Sequence, residues 1–329
     1  MARSAMTFLL LPLSLLPLYL AVPKLTGNEN IPVDRRPLDV PQLEIPLERI
    51  AKWRQVPVTP MPAIPVLAYH GINDSKDYYS ITQRAFTEQM EMLETAGFQT
   101  ISIEQYVHFL DGDTAGLPKR PILITFDDGR LDSYRGADRI LAEHDFRAVM
   151  FVIAGNVSAG HEFYLDWSEL KRMQESGRWD IQTHAGTLHT NVPVDAKGSL
   201  GPAYANRRWV EGTGLESFAD WRRRVAQDVI WANHTLADHI PDFVPWSFAV
   251  PFGSYYYGLS NDPRAPRFFE RLLKRHFKAA FLNNPPTYTK PTSPPDHLGR
   301  MELNHRVETN RLYRWLSERR PVQADQGGN

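Results

Sequence analysis

The stretch PILITFDDGRLDSY, residues 121–134, places an apolar run directly before two adjacent carboxylates and a glycine. The apolar run suits a buried strand, and the residues after Gly129 have the apolar spacing of a helix. Asp127 and Asp128 therefore stand at the carboxyl end of a predicted strand. Adjacent like charges at the end of an apolar run are unfavourable unless a partner compensates them. The stretch thus predicts a strand-to-helix connection that carries a charged site.

Strands and helices alternate along the chain on both sides of this stretch. Residues 99–106, QTISIEQY, also have strand character. Helical patterns separate the remaining strands, which we predict at residues 65–72, 147–153, 179–184, 246–253 and 278–282. Such alternation predicts right-handed βαβ units and a parallel sheet. In a closed β/α barrel the chemistry lies at the carboxyl ends of the strands, where the carboxylate pair stands.

The composition excludes several classes of protein and site. The chain has 329 residues, of which 42% are hydrophobic, so it can bury a sizeable core. A net charge of -1 provides no basic field, and we expect no nucleic-acid partner. Because the chain has no cysteine, disulfides and thiolate metal ligands are excluded. Any metal must be held by histidine, carboxylate or water.

The N-terminal region differs from the rest of the chain. An uncharged apolar run, residues 5–22, suits an export signal that remains as a membrane anchor or is cleaved, and Pro12 and Pro17 argue against a buried helix. We predict a signal peptide or anchor at 1–25, a Pro-rich linker at 26–62, one catalytic domain at 63–318 and a disordered tail at 319–329. The expected location is the periplasm or cell surface.

Two imidazoles follow another predicted strand. His184 and His189 lie in WDIQTHAGTLHTNV, at the end of a strand and in the loop after it. One carboxylate with two imidazoles is a reasonable ligand set for Zn²⁺ or a related divalent ion. Each half is a weak signal alone, since Asp-Asp-Gly is often a turn and helix cap. Together, at the ends of β/α units, they predict a metal site beside a free carboxylate.

Several ordered motifs resemble the NodB-like polysaccharide deacetylases, carbohydrate esterase family 4. ITFDDG is similar to the first signature of the family, THAGTLH to its histidine signature and FAVPFGSY to its third segment. The resemblance covers about residues 64–315 and implies a distorted (β/α) barrel in a single domain. The five-residue histidine spacing resembles the branch that acts on poly-β-1,6-N-acetylglucosamine.

The resemblance also implies roles for individual residues. Asp127 would be the general base, and Asp128, His184 and His189 would hold the metal, with Zn²⁺ expected and Co²⁺ or Ni²⁺ as alternatives. The backbone N–H of Phe252, with Gly253 permitting the turn, would stabilise the oxyanion. The implied reaction is removal of N-acetyl groups from a polysaccharide containing N-acetylglucosamine.

Other positions depart from the pattern of the family. Many members carry an arginine that orients the base where this chain has Ala249, and we expect Arg300 to substitute for it. His305, in ELNHR, matches the Leu-x-His segment that supplies the general acid, although another alignment excludes it and Asp127 is an alternative proton donor. His70, at the end of the first strand, is expected to face the substrate or to stand behind the metal ligands, and not to bind the metal itself.

Two rival functions stay open at the level of the sequence. The same site would serve deacetylation of O-acetyl xylan or peptidoglycan, because esters and amides are attacked by one constellation. An impaired sugar-binding protein is the other possibility, which Ala249 motivates and the four intact site residues oppose. The insertion at residues 192–217 is expected to flank the mouth of the site.

Overall fold

A computed structural model describes residues 33–56, 63–75, 77–283 and 288–318. The described residues from Arg35 onward form one compact unit, to which the following description refers. Its strands are β1 Ile64–Tyr69, β2 Gln99–Thr100, β3 Pro121–Phe126, β4 Ala148–Ile153, β5 Trp179–Ala185, β6 Asn191–Pro193, β7 Leu200–Pro202, β8 Trp209–Val210, β9 Gly214–Leu215, β10 Ser247–Ala249, β11 Ala279–Leu282, β12 Tyr288–Thr289, β13 Leu298–Gly299 and β14 Met301–Glu302. Its helices are α1 Leu47–Trp53, α2 Gln83–Thr95, α3 Ile103–Leu110, α4 Leu131–Glu143, α5 Ala154–Ser158, α6 Trp167–Glu175, α7 Phe218–His239, α8 Arg264–His276 and α9 Thr309–Glu318, with a 3₁₀ turn at Pro251–Gly253.

The main sheet is a nearly closed parallel barrel. Strands β1, β3, β4, β5, β10 and β11 pair in that order, each parallel to the next. Strand β13 pairs with β11 and β14 pairs with β1, so residues 298–302 join the two ends of the sheet. Arg300 stands between these two short strands. The predicted (β/α) barrel is therefore confirmed, and its closing segment carries a charged residue.

The apolar residues of the strands divide between two faces. On β1, Leu67 and Tyr69 pack into a cluster with residues of α2 and α4, while Val66 packs into a second cluster with Phe151 and Phe281. Alternation of this kind is what a strand covered on both sides requires. All six residues of β1, β3 and β4 are buried. The barrel therefore gives its strand ends a rigid frame.

Residues 99–106 differ from the expectation of a strand. Only Gln99 and Thr100 pair with β3, and α3 begins directly after Ser102. The Ser102 hydroxyl accepts a hydrogen bond from the Gln105 N–H, while the Gln105 side chain accepts one from the Ser102 N–H. This capping box favours the helix over the continued strand that the β-branched residues suggested.

Part of the stretch that we expected to be an extended linker is packed on the domain. Arg35 donates hydrogen bonds to both carboxylate oxygens of the buried Glu169. Helix α1 buries Trp53, which is 1% exposed and joins the large apolar cluster. An aromatic side chain of this size stabilises whatever it packs against, which accounts for the ordering of a Pro-rich segment. The compact unit thus begins before residue 63.

The predicted leader and the predicted tail lie outside the described residues. The leader at 1–25 and the tail at 319–329 belong to the parts of the chain that the structure does not describe. Across the described ranges, no helix has the length and apolar character that a membrane crossing would need. The insertion at 192–217 forms two small antiparallel hairpins, β6 with β7 and β8 with β9.

Candidate functional site

An unusual turn after β3 directs the carboxylate pair towards the mouth of the barrel. Strand β3 ends at Phe126, and Asp128 and Gly129 both adopt positive φ, 75° and 72°. Aspartate is among the few residues other than glycine that tolerate this conformation. The Asp127 N–H donates to the Tyr69 carbonyl at 2.9 Å, so this residue is fixed against the end of β1. Two consecutive left-handed residues thus turn the chain sharply at the strand end.

Asp128 lies between the two predicted histidine ligands. Its Oδ1 is 3.4 Å from His184 Nε2 and 3.6 Å from His189 Nε2. His184 donates from Nδ1 to the Ala249 carbonyl at 2.7 Å, because a carbonyl oxygen only accepts. This bond leaves the Nε2 lone pair of the neutral ring directed towards Asp128. Potential ligand atoms of the three residues all lie within 4.8 Å of one another.

Asp127 is held by the arginine of the closing segment. Arg300 donates from Nη1 to Oδ1 and from Nη2 to Oδ2 of Asp127, each at 2.7 Å. Its side chain is 0% exposed, and that of Asp127 is 3% exposed. Arg300 Nη1 also donates to the Thr125 hydroxyl at 3.1 Å. The arginine that we expected to replace the missing one at Ala249 therefore contacts the proposed base in a bidentate geometry.

A cavity of about 220 Å³ contains the pair and the histidines. Its charged and imidazole lining consists of His70, Asp127, Asp128, His184, His189 and Glu302. His70 Nε2 is 3.8 Å from Asp127 Oδ2. The predicted general acid, His305, is not in the cavity lining.

His305 lies instead on the protein surface beside Tyr78. Its Nδ1 is 3.0 Å from the Tyr78 carbonyl, and its ring packs edge to face on the Tyr78 ring. The chain turns away from the cavity after Glu302, so His305 lies outside the cavity lining, whereas His70 is part of it. His70 is therefore the third imidazole of the cavity lining, besides the two metal-ligand candidates, and it lies beside Asp127.

The third motif forms one wall of the cavity. Phe252 adopts φ 59°, and its ring stacks on His189 with the centroids 4.7 Å apart. Gly253 has φ 68°, and a Cβ at this position would lie 2.7 Å from Asn283 Cβ. The glycine is therefore required both by its conformation and by the close approach of Asn283. Tyr256 and Tyr79 add aromatic surface to the cavity.

Burial and neighbouring charges shift the acidities of the carboxylates. Burial raises the pKa of Asp127, but the charge and the hydrogen bonds of Arg300 lower it by more. The pKa of Asp127 therefore lies below its usual value. Burial likewise raises the pKa of Asp128, and its hydrogen bond from His184 and the nearby imidazoles bring it below the usual range. Both carboxylates are therefore ionised at neutral pH.

The two histidines are shifted in opposite directions. Burial lowers the pKa of His184, but its hydrogen bond to Asp128 and the two carboxylate charges raise it above the usual value. Burial, assisted by the charge of His184, lowers the pKa of His189 to about 4. Since a neutral imidazole is the form that binds a metal, His189 is prepared for that role and His184 must release a proton.

Three residues near the site were missed by sequence reasoning. Asp228 of α7 accepts hydrogen bonds from the Gly186 N–H at 2.9 Å and the Thr187 N–H at 2.7 Å, which fixes the loop between the histidines. Asn283 and Glu302 line the cavity. An aspartate on the apolar face of a predicted helix was a signal for Asp228.

Comparison with known proteins identifies the fold family. The family model described as polysaccharide deacetylase matches residues 114–265, a range that contains Asp127, Asp128, His184, His189 and the third motif. This part of the chain is therefore similar to the polysaccharide deacetylase family. The resemblance to NodB-like deacetylases is thereby confirmed.

Curated relatives are distant, and the chain matches only part of each of them. A poly-β-1,6-N-acetyl-D-glucosamine N-deacetylase of Escherichia coli K12 is 24% identical over 204 residues, which are 57% of this chain and 30% of the relative. The protein of the same name from Staphylococcus aureus MSSA476 is 26% identical over 202 residues, which are 60% of this chain and 61% of the relative. The chain therefore spans under two thirds of the length of these relatives.

Solved structures agree with the barrel. A de-N-acetylase from Aggregatibacter actinomycetemcomitans superimposes with a TM-score of 0.66 at 20% identity, over 76% of this chain and 98% of the other. The BpsB deacetylase domain from Bordetella bronchiseptica gives a TM-score of 0.61 at 25% identity, over 73% and 97%. These likenesses concern the fold of the deacetylase domain.

Proposed function

We propose that this chain is a polysaccharide deacetylase and that it hydrolyses N-acetyl groups of N-acetylglucosamine units in an exopolysaccharide. The observation that carries the proposal is the meeting of Asp128, His184 and His189 around one point, next to an ionised Asp127. The names of the relatives from Escherichia coli and Staphylococcus aureus support poly-β-1,6-N-acetylglucosamine as the polymer class.

The donor set fits a divalent cation. Two imidazole nitrogens and one carboxylate oxygen are a common ligand set for Zn²⁺ and chemically similar ions. The backbone contact of His184 Nδ1 with Ala249 fixes the ring so that Nε2 faces Asp128. We therefore assign the cation to Asp128, His184 and His189, with Zn²⁺ expected and Co²⁺ or Ni²⁺ as alternatives. When bound, such a cation polarises a carbonyl and lowers the pKa of water.

Asp127 is proposed to accept the proton of the attacking water. Its depressed pKa keeps it ionised, and both of its oxygens face Arg300. A fully buried guanidinium with two hydrogen bonds to one carboxylate fixes that carboxylate in orientation. Asp127 also lines the cavity in which the water would lie. Arg300 is thus a positioning residue for the base.

The third motif is proposed to stabilise the developing oxyanion. The Phe252 N–H belongs to the tight turn at the cavity wall, and Gly253 holds the turn against Asn283. A preorganised backbone donor in a desolvated site favours charge that develops in the transition state. The stacked ring of Phe252 on His189 fixes the same residue from its side chain.

His70 is the better placed proton donor for the leaving amine. It lines the cavity 3.8 Å from Asp127, whereas His305 is exposed beside Tyr78. A general acid must come within hydrogen-bonding reach of the departing nitrogen. We therefore propose His70 in the role that the sequence suggested for His305. Return of the proton by Asp127 is the alternative that the experiment below separates.

The N-terminal leader completes the proposal. We infer export from the uncharged apolar run at residues 5–22, either cleaved or kept as an anchor. The acetylated polymer is then the partner of the domain outside the cytoplasm. Fractionation of cells that express the full chain, with N-terminal sequencing of the mature protein, tests this inference. Recovery of the intact chain in the cytoplasm would contradict it.

Acetate release tests the function directly. The full chain, stripped and reloaded with Zn²⁺, Co²⁺ or Ni²⁺, is assayed on β-1,6- and β-1,4-linked N-acetylglucosamine oligomers, peptidoglycan fragments and acetylated xylan. We expect the highest rate on β-1,6 oligomers and loss of activity in Asp127→Asn and Asp128→Asn. Preference for xylan or peptidoglycan would redirect the substrate, and oligomer binding without acetate release would favour an impaired sugar-binding protein.

A further inference from the structure

Asn283 stands at the junction of three parts of the site. It follows β11 directly and lines the cavity. Its side-chain Oδ1 accepts a hydrogen bond from Arg300 Nε at 3.0 Å, and its Nδ2 donates to Glu302 Oε2 at 3.0 Å. Its backbone N–H donates to the Gly253 carbonyl at 3.0 Å. One asparagine therefore contacts the arginine of the base, a cavity carboxylate and the oxyanion turn.

The orientation of the Asn283 amide is fixed by its neighbours. The Arg300 Nε–H only donates, and a carboxylate oxygen such as Glu302 Oε2 accepts. Rotating the amide by half a turn would place its N–H groups against the Arg300 Nε–H and its oxygen against the Glu302 carboxylate. Two donors would then face each other on one side and two acceptors on the other. The observed orientation is thus the one that satisfies both partners, and Glu302 determines which end of the amide faces Arg300.

Arg300 depends on this contact because it has no access to water. Its two terminal nitrogens are occupied by Asp127 and Thr125, and Nε is occupied by Asn283. The guanidinium is a rigid plane. Because Nε is held as well as both terminal nitrogens, the group cannot rotate within that plane. Without Asn283, the Arg300 guanidinium keeps its hydrogen bonds to the Asp127 carboxylate but loses the hydrogen bond at Nε.

The same residue limits the position of the oxyanion turn. Asn283 and Gly253 approach so closely that a Cβ on Gly253 would lie 2.7 Å from Asn283 Cβ. The backbone bond between them holds the third motif at a set distance from the end of β11. Movement of Asn283 would therefore change the positions of Arg300 and Gly253 together.

We infer that Asn283 is a positioning residue that aligns the base, through Arg300, with the oxyanion donor at the third motif. The inference rests on the proposed function, because alignment has meaning only for an attack on an acyl carbon. Asn283 acts on the rate of the chemical step, and the cation ligands do not depend on it.

The first test compares two asparagines that both contact Glu302. Asn283→Ala removes the acceptor of Arg300 Nε. Asn304→Ala is the matched control, because Asn304 Nδ2 donates to Glu302 Oε1 at 3.4 Å and is buried, with no described contact to Arg300. We expect Asn283→Ala to lower kcat by about 10- to 100-fold with KM and bound metal within about twofold of the wild type. Asn304→Ala should stay within about threefold in kcat.

Two results would overturn the inference. An unchanged kcat in Asn283→Ala would show that Arg300 is held without it. A raised KM with normal kcat would make Asn283 a substrate-binding residue.

A double-mutant cycle tests the route through Arg300. Arg300→Lys retains the positive charge beside Asp127 but lacks the Nε–H that Asn283 accepts. If Asn283 acts through that bond, adding Asn283→Ala to Arg300→Lys should lower kcat by less than about twofold. Full additivity of the two losses would overturn the route.

A spectroscopic measurement separates this inference from the proposed function. In NMR spectra of the full chain, the Arg300 Nε–H should exchange slowly in the wild type and Asn304→Ala, and at least about tenfold faster in Asn283→Ala. A chain that releases no acetate but shows this pattern would contradict the function and support the positioning contact. Equal exchange in all three proteins would overturn the inference whether or not acetate is released.

Discussion

Arg300 and Asp127, separated by 173 residues in sequence, form a buried bidentate ion pair whose two hydrogen bonds are 2.7 Å long. Arg300 belongs to the segment that closes the barrel between β11 and β1. Asp127 follows β3, the strand beside β1. Closure of the barrel and orientation of the proposed base therefore depend on one short stretch of chain.

Replacing Arg300 should affect turnover and not metal content. In Arg300→Ala, Asp127 loses the partner that orients both of its oxygens, and we expect kcat to fall by about 10- to 100-fold. Asp128, His184 and His189 have no contact with Arg300 that the structure describes, so the cation should still bind with normal stoichiometry. Steady-state acetate release and metal analysis of the same preparation check both statements. Loss of the metal would contradict the positioning role.

The buried pair should also contribute to stability in a pH-dependent manner. Because the folded pKa of Asp127 lies below its unfolded value of 3.8, its contribution is present above pH 3.8 and is lost as the pH falls through the folded pKa. Removing one partner of a buried pair costs about 3–5 kcal/mol. We expect Arg300→Ala to show such a loss in urea unfolding at pH 7 and a smaller difference from the wild type below pH 3.8. A difference independent of pH would contradict this account.

The two candidate acids should separate clearly. His70→Ala removes the imidazole 3.8 Å from Asp127 and should lower kcat by about 100- to 10,000-fold. His305→Ala removes a surface ring on Tyr78 and should leave kcat within about threefold. The pH dependence of acetate release from both variants provides the comparison. If both variants keep normal turnover, return of the proton by Asp127 becomes the favoured mechanism.

The sequence predicted the parts of the fold that are local in origin. The apolar run before Asp127 and the helical spacing after Gly129 gave the strand, the turn and α4. At Ser102 the capping box favoured helix α3 over the strand that we predicted. In the Pro-rich segment the packing of Trp53 against the apolar cluster favoured α1 over an extended linker. The first outcome is a competition between two local preferences, and the second is a competition between a local preference and a tertiary contact. A periodicity resolves neither.

The site was predictable where the ligands follow strand ends and less so elsewhere. Asp127, Asp128 and His184 stand at rim positions that strand order alone brings together. Asn283 and Glu302 are ordinary polar residues in sequence, and their importance arises from contacts with Arg300 across the closed barrel. The resemblance suggested His305 as the general acid, whereas the structure places this side chain on the surface beside Tyr78, because sequence spacing does not reveal where the chain leaves the rim.

Metal binding should weaken on acidification because His184 retains its proton. Without the cation, the Asp128 hydrogen bond and nearby carboxylates hold the pKa of His184 above the usual 6.5, after the opposing effect of burial. The cation must displace that proton, so affinity should fall as the pH drops through the raised pKa and continue to fall below 6.5. Calorimetry in buffers of different ionisation enthalpy should detect up to about one proton released per Zn²⁺ at neutral pH. An affinity that does not change as the pH falls from about 8 to about 5, or Zn²⁺ binding without proton release, would contradict this account.

A methyl group at Gly253 should damage the site more than the same change at a matched glycine. Gly253→Ala introduces a Cβ 2.7 Å from Asn283 Cβ on a residue with φ 68°. Gly177→Ala is the control, because it has φ 69° and no heavy atom within 4 Å of the added Cβ. Both variants should lose about 1–2 kcal/mol for the left-handed conformation. Displacement of the oxyanion turn should, in addition, lower kcat of Gly253→Ala by about 100-fold or more, as measured by acetate release and thermal unfolding. Equal kcat in the two variants would show that the turn tolerates the shift and that its N–H does not stabilise the transition state.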